Sequence, residues 1–537
     1  MKKPGFPEGK NNLKRNWYFP ISAMAFFCIS IDNSVGYCVG MLIAFAAMTA
    51  LSARIPSIWA RVSGKTKEMK ISCFLSALGI CLGNQEQFMN RALQLMLPER
   101  FNIYLLALSW FGAAAAFCFV YICLVLFWDK LLEILRENGA FSGITKAEWV
   151  IYGVLALLSI GFAAWAFSES QIFYGTEHSY DLLYTSDSPA LIKGGVYHTL
   201  THKQNDIRQP LFALFAAPFE GIPYLVGRLL NAPAPARAIL INSAQILLLF
   251  AANLLLTRML ALSPGKRICF QLVSCCSYTH LLFILMMEQY IVAYFWLVLC
   301  MYLIAQRGKP ERFALWGAGG TLLTSMVLMP FLSEKHPVRE FKGWFLDMVK
   351  AGLEFVAVIL LFSRLDVITG VVQQAIYLDS FTGRTLTMMD KLQQFTAFLP
   401  GCFAAPAAGP NQYGWYLMPV TCIHTGGIVI AALAVLSAVV NRKQKSSLLA
   451  LYWCGFSAVM LVGLGWGTSE NGLILYALYF GWAYLALLFQ LVEKAEAWLK
   501  IKNLTCVVSA VCAVWLAAVN IPAILELVRF AAAVHPA

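Results

Sequence analysis

The sequence predicts an all-α, polytopic transmembrane helical bundle on three observations. Of 537 residues, 60% are hydrophobic and only 13% charged, with a mean hydropathy of +0.68, too little charge to cover a soluble surface. Apolar runs near the roughly 20 residues that cross a bilayer recur along the whole chain. The Lys and Arg residues stand in short clusters between those runs, so the net charge of +12 reports topology and not a nucleic-acid partner. Lipid-exposed backbone must be helical here, because a closed barrel would need alternating strands.

Taken in order, the basic start MKKPGFPEGKNNLKR leads into an apolar run without a small-x-small cleavage site. It is expected to remain as a signal anchor with the N-terminus inside. Spans near 17–33, 35–53, 70–83 (short) and 102–127 make an N-terminal segment, 1–148. Spans near 149–168, 236–260, 268–284, 289–306, 313–333 and 349–364 make a second, 149–364, with a first outer loop at 169–235. A second outer loop covers 365–417, and spans near 418–440, 447–465, 472–491 and 503–525 complete the C-terminal segment, 418–537. The total is about 12 to 15 spans.

Loop charges set the sidedness. Arg54, Arg61, Lys65, Lys67 and Lys70 mark one inside loop, and Lys130, Arg136 and Lys146 another. Lys266 with Arg267, Arg307 with Lys309 and Arg312, and Arg442 with Lys443 and Lys445 mark three more. Lys335, Arg339, Lys342 and Lys350 also belong inside, yet one crossing at 313–333 would put them outside. The stretch WGAGGTLLTSMVLMPFL resolves the conflict: Gly317, Gly319 and Gly320, followed by Thr321, Thr324 and Ser325, predict a helix that breaks and bends back. Glu470 then falls in a third outer loop.

The first outer loop concentrates polar chemistry. It carries Glu169, Glu177, Asp181, Asp187 and Asp206, with His178, His198 and His202. His198 and His202 have the spacing of a helical metal pair but lack the glutamate of a zinc hydrolase site, and read as surface histidines. After Asp206 the stretch IRQPLFALFAAPFEGIPYLVGRLL is amphipathic and punctuated by proline. Over 209–230 it predicts one or two short helices lying on the outer face, with Leu211, Phe212, Phe215 and Leu225 toward lipid or the bundle. The 15 cysteines show no CxxC pair and read as small membrane-embedded hydrophobes. No cofactor is fixed by a motif; a divalent metal is the open alternative, without clustered carboxylates of the spacing that would hold it.

The order of these parts resembles the GT-C superfamily of integral membrane glycosyltransferases. An opening span, WVIYGVLALLSIGFAAWAF, runs into an acidic outer loop, a Pro-Leu-Phe segment, DIRQPLFALFAAPF, and a span ending in LLLTRMLAL. The following MMEQYIVAYFWLVLCMYLIAQRGKPERFALWGAGGTLLTS is similar to that superfamily's acid-led span, basic turn and Gly/Thr-rich short helix pair. The resemblance covers roughly 149–490 and leaves the first four spans outside the shared core. The chain departs from the usual pattern in lacking an acidic doublet after the opening span and in having Arg-Gln-Pro-Leu where His-Pro-Pro-Leu is common.

The resemblance implies transfer of a sugar from a polyprenyl-phosphate donor to a glycan, lipid or protein acceptor at the outer face of the membrane; the basic inside loops and retained anchor fit a bacterial cytoplasmic membrane, with an endoplasmic-reticulum membrane as the alternative. Such chemistry needs a carboxylate to take or orient the acceptor's proton and cations to stabilise the leaving phosphate. Asp187, in the turn Thr-Ser-Asp-Ser-Pro, is assigned as base, followed by Asp181 and Glu177. Arg208, Lys203 and, from the second outer loop, Arg384 are the phosphate-binding cations. Asp206, Glu288, Gln289, Glu470 and His202 would position the substrate. A transporter or lipid flippase is the rival reading; such proteins show internal repeats and paired charges at mid-membrane, whereas here no repeat is evident and the acidic groups lie at span ends and in loops on one side. A non-catalytic scaffold is the third.

Overall fold

The computed structural model describes residues 16–30, 34–55, 57–83, 103–174, 182–184, 211–287, 289–319, 322–332, 340–363, 376, 379, 381–469 and 472–537. The protein is an all-α helical bundle, and among the described residues seven helices are long and apolar enough to cross a membrane. It is a multi-pass membrane protein.

Along the chain come α1 (Tyr18–Ser30), α2 (Ser34–Arg54), α3 (Lys67–Gly83), α4 (Ile103–Glu137), α5 (Lys146–Glu169) and α6 (Phe212–Leu229). Next are α7 (Ala234–Met259), α8 (Pro264–Cys276), α9 (Tyr278–Phe283), α10 (Gln289–Arg307), α11 (Arg312–Ala318) and α12 (Leu322–Leu328). The series ends with α13 (Phe341–Ser363), α14 (Met388–Gly401), α15 (Thr425–Val440), α16 (Lys445–Ala458), α17 (Ala477–Leu499) and α18 (Leu504–Val534). A two-residue hairpin, β1 (Gly409–Pro410) with β2 (Tyr416–Leu417), lies between α14 and α15. The helices follow the hydropathy pattern, with one correction. The apolar run at 268–284 is not a single span: Ser277 is extended between α8 and α9, and its hydroxyl caps α9 at the His280 amide.

The chain divides into two compact units. One comprises Met1–Leu135, Gly194–Ala232 and Gly352–Val371; the other comprises Arg136–Lys193, Pro233–Ala351 and Val372–Ala537. In the first, Asp129 near the end of α4 accepts from Arg61 at 2.8 Å and Lys65 at 2.6 Å. The inside loop of the sequence therefore does meet the end of α4.

Against α3 packs α6, a single 18-residue helix despite Pro218 and Pro223. At the crossing Gly79 faces Gly221 backbone to backbone: a Cβ on Gly79 would run into the Gly221 carbonyl, and one on Gly221 into Ser76. Phe215 and Phe219 of α6 lie against Phe127, at 6.0 and 5.9 Å between ring centroids, and Phe219 against Trp128 at 5.2 Å. Leu211, Phe212, Phe215 and Leu225 are all buried. Of the two surroundings expected for these four residues, lipid or the bundle, they face the bundle, and one helix forms. The aromatic part of α6 packs just before Asp129, at the basic end of α4, and Gly221 meets the middle of α3. Amphipathic patterning showed that one face is covered, and that cover is another helix.

In the second unit the polar groups sort to two ends. At the basic end, Arg267 pairs with Glu148, Lys266 with Glu493 and Glu496, and Arg307 with Glu137 and Glu311. Gln490 donates to Gln444 and Ser446, both at 3.0 Å. The starts of α8 and α16 thus meet the end of α17, the start of α8 meets that of α5, and the end of α10 meets the end of α4, the alternation that the loop charges require.

The break near 319 is also present. Helix α11 stops at Ala318 and α12 begins at Leu322, and Gly317 lies against the Trp296 ring so closely that a Cβ would overlap it. The Ser325 hydroxyl donates to the Leu315 carbonyl at 2.7 Å. Along a straight helix those ten residues would span roughly 15 Å, so the chain has folded back.

Candidate functional site at the loop end

The opposite end of the second unit gathers the loops between spans, and short backbone ladders stitch them together. Ser170, just after α5, bridges Pro536 after α18, and the Ser170 hydroxyl lies 2.9 Å from the Ala531 carbonyl and 2.7 Å from that of His535. Leu183 of the first loop pairs in parallel with Tyr416 of the second. The Tyr184 amide donates to the Tyr416 carbonyl at 3.0 Å, and the Tyr416 amide to the Leu182 carbonyl at 2.7 Å. Thr382 of the second loop pairs with Trp466 of the third. There the Gly383 amide donates to the Gly465 carbonyl at 3.0 Å, and the Gly467 amide to the Phe381 carbonyl at 2.9 Å. Gly465 and Gly467 have φ of 69° and 73°, a left-handed backbone that glycine adopts without strain.

Tyr184 anchors the first loop. It is fully buried, its hydroxyl lies 2.7 Å from that of Tyr278, and its φ of 50° is uncommon outside glycine. Burial pushes its phenol well above the ordinary value, with Tyr278 adding to the shift, so at neutral pH it bonds and holds but does not act as a base. Tyr278 opens α9, and its amide donates to the Phe403 carbonyl at 2.8 Å. Asn520, buried in α18, completes the clamp. Its amide donates at 2.7 Å to both the Cys276 and Phe403 carbonyls, and its oxygen accepts from the Ala405 amide at 2.6 Å.

Of the candidate catalytic, phosphate-binding and substrate-positioning residues named from the sequence, two lie among those described. Gln289 is half-buried at the first position of α10. Arg384 is 74% exposed and pairs with Asp379, a surface contact of small energetic weight that leaves most of the guanidinium in solvent. Asp187, Asp181, Glu177, Arg208, Lys203, Asp206, Glu288, Glu470 and His202 lie outside the described residues, as do His178, His198 and Gly320. Sequence reasoning passed over Tyr184 and Asn520. It also gave no role to Lys391, whose side chain stands where a Cβ on Gly465 would go. An asparagine inside an apolar span was the available signal for Asn520; Tyr184 had none.

Among the described residues no three of His, Cys, Asp and Glu come together as metal ligands. The cysteines described are free thiols. No protein family, no curated protein and no solved structure matches this chain.

Proposed function

We propose that this chain is a multi-pass membrane glycosyltransferase that moves a sugar from a polyprenyl-phosphate donor to an acceptor at the outer face of a bacterial cytoplasmic membrane, with its N-terminus inside. The observation that carries the reading is the stitching of the three outer loops through Leu183 with Tyr416 and Thr382 with Trp466. Asp181 precedes the tied segment 182–184 directly, Asp187 follows Tyr184 by three residues, and Glu470 follows the buried Thr468 by two. Exposed Arg384 and neighbouring Lys391 add cations to the same loops.

In this scheme Asp187 accepts a hydrogen bond from the acceptor hydroxyl and takes its proton as the anomeric carbon is attacked. Arg384, in the same loops, neutralises the phosphate that leaves. A carrier reading would draw on polar groups buried inside the bundle, and Asn253, Ser274 and Tyr294 are such groups. They are bonded to one another: the Tyr294 hydroxyl donates to Asn253 at 3.0 Å and the Asn253 amide to Ser274 at 3.0 Å. That pairing favours a scaffold for surface chemistry over a path for a solute.

The test is transfer by the purified full chain in proteoliposomes, offered a panel of polyprenyl-phosphate sugars with glycan, lipid and peptide acceptors. Transfer from at least one donor supports the reading. No transfer from any of them, together with passage of a labelled lipid between leaflets, would replace it with the flippase.

A further inference from the structure

Beneath the α8–α9 break lies a cavity of about 30 Å³ bordered by Asn253, Ser274, Ser277, Thr279, His280 and Trp482 among others. Its polar walls are deeply buried: Asn253 and His280 are 2% exposed and Trp482 is 4%. Two wall residues carry atoms without a hydrogen-bond partner among the described residues, His280 Nδ1 and Trp482 Nε1. The other imidazole nitrogen, His280 Nε2, lies 3.4 Å from the Ser159 hydroxyl. An indole N–H and an imidazole nitrogen left bare in an apolar interior each carry a desolvation cost, and buried polar groups in folded proteins almost always find partners.

A water needs roughly 10 to 15 Å³ of such space and two to four polar partners, and this chamber meets both conditions for one or two molecules. We propose that the chamber is a water-binding site, in which internal water accepts from Trp482 Nε1 and hydrogen-bonds His280 Nδ1 and the wall hydroxyls. Its size excludes a sugar, a nucleotide or a lipid tail. The site stands whether or not the chain transfers sugars, because no donor, acceptor or loop carboxylate enters it.

Radiolytic footprinting reads the site on the unmodified full chain in nanodiscs. Microsecond X-ray pulses make hydroxyl radicals from water where it sits, and mass spectrometry locates the oxidised side chains. Trp296 and Trp453 are fully buried and do not line the chamber, so they are the internal controls. His280 and Trp482 should oxidise several-fold faster than those two tryptophans, and a scavenger confined to bulk solvent should leave their signal in place. The proposal is overturned if His280 and Trp482 are as inert as Trp296 and Trp453. It is equally overturned if the scavenger abolishes their labelling as it does that of exposed Trp149.

Discussion

The Glu148 carboxylate and the Arg267 guanidinium meet through two hydrogen bonds, Nε to Oε1 at 2.5 Å and Nη2 to Oε2 at 2.9 Å, with the side chains 0% and 4% exposed. Arg267 also donates to the Leu262 and Gly143 carbonyls, and Glu148 accepts from the Thr145 amide and hydroxyl. The pair ties the start of α5 to the start of α8. Removing one partner strands a buried charge, a loss of about 3 to 5 kcal/mol. Arg267→Met should therefore lower Tm sharply in detergent. The double variant Glu148→Leu with Arg267→Met should regain part of the loss, since no ion remains to be desolvated. A single variant as stable as the wild type would show the pair to be idle.

The folded-back α11–α12 pair predicts which side the next segment faces. A cysteine at Lys335, in a background without accessible native thiols, should react with an impermeant maleimide only from the cytoplasmic side. Labelling from outside would mean that the short pair is followed by a full crossing, and the positive-inside count would fail there.

Asn520 satisfies three backbone groups at once, at Cys276, Phe403 and Ala405. Asn520→Leu leaves the Cys276 carbonyl and the Ala405 amide to find new partners inside the bundle and the Phe403 carbonyl with the Tyr278 amide alone, at a cost of about 2 kcal/mol or more. The variant should unfold at a clearly lower temperature. Asn520→Asp, which keeps an acceptor for the Ala405 amide but removes both donations, should not rescue it.

The start of α14 carries a reciprocal cap. The Thr387 hydroxyl and amide donate to Asp390 Oδ2 at 2.7 and 2.8 Å. These two donors, the hydroxyl foremost, hold the Asp390 carboxyl below its ordinary value of 3.8. A carboxyl whose pKa is depressed on folding adds stability above its unfolded value and loses it as the pH falls through the folded one. Asp390→Asn should accordingly lower Tm slightly at neutral pH, and the gap to the wild type should close as the pH drops below 3.8. A gap independent of pH would mean that ionisation of Asp390 does not matter to the cap.

The spans were legible because hydropathy is local, and the break near Gly319 because loop charge and glycine spacing disagreed with a straight helix. The break at Ser277 was not. ICFQLVSCCSYTHLLFI reads as one apolar run, and what interrupts it comes from Asn520, Cys402 and Phe403, more than 120 residues away in the sequence. The position of α6 was hidden for a related reason. An amphipathic pattern shows that a face is covered without saying whether lipid headgroups or the Gly79 crossing covers it. At the candidate site, single polar loop residues could be named from sequence, but pairing between loops depends on backbone ladders that leave no side-chain pattern.

The most direct test of sugar transfer at the stitched loops is the rate with Asp187→Asn, which keeps the shape of the side chain and removes its charge. Wild type and variant are assayed side by side with a polyprenyl-phosphate sugar that the wild type accepts. If Asp187 takes the acceptor's proton, turnover falls by roughly 10² to 10⁴ while Tm and membrane insertion stay unchanged, and Arg384→Ala raises KM for the donor as well as slowing turnover. An Asp187→Asn enzyme with undiminished transfer would contradict the assignment.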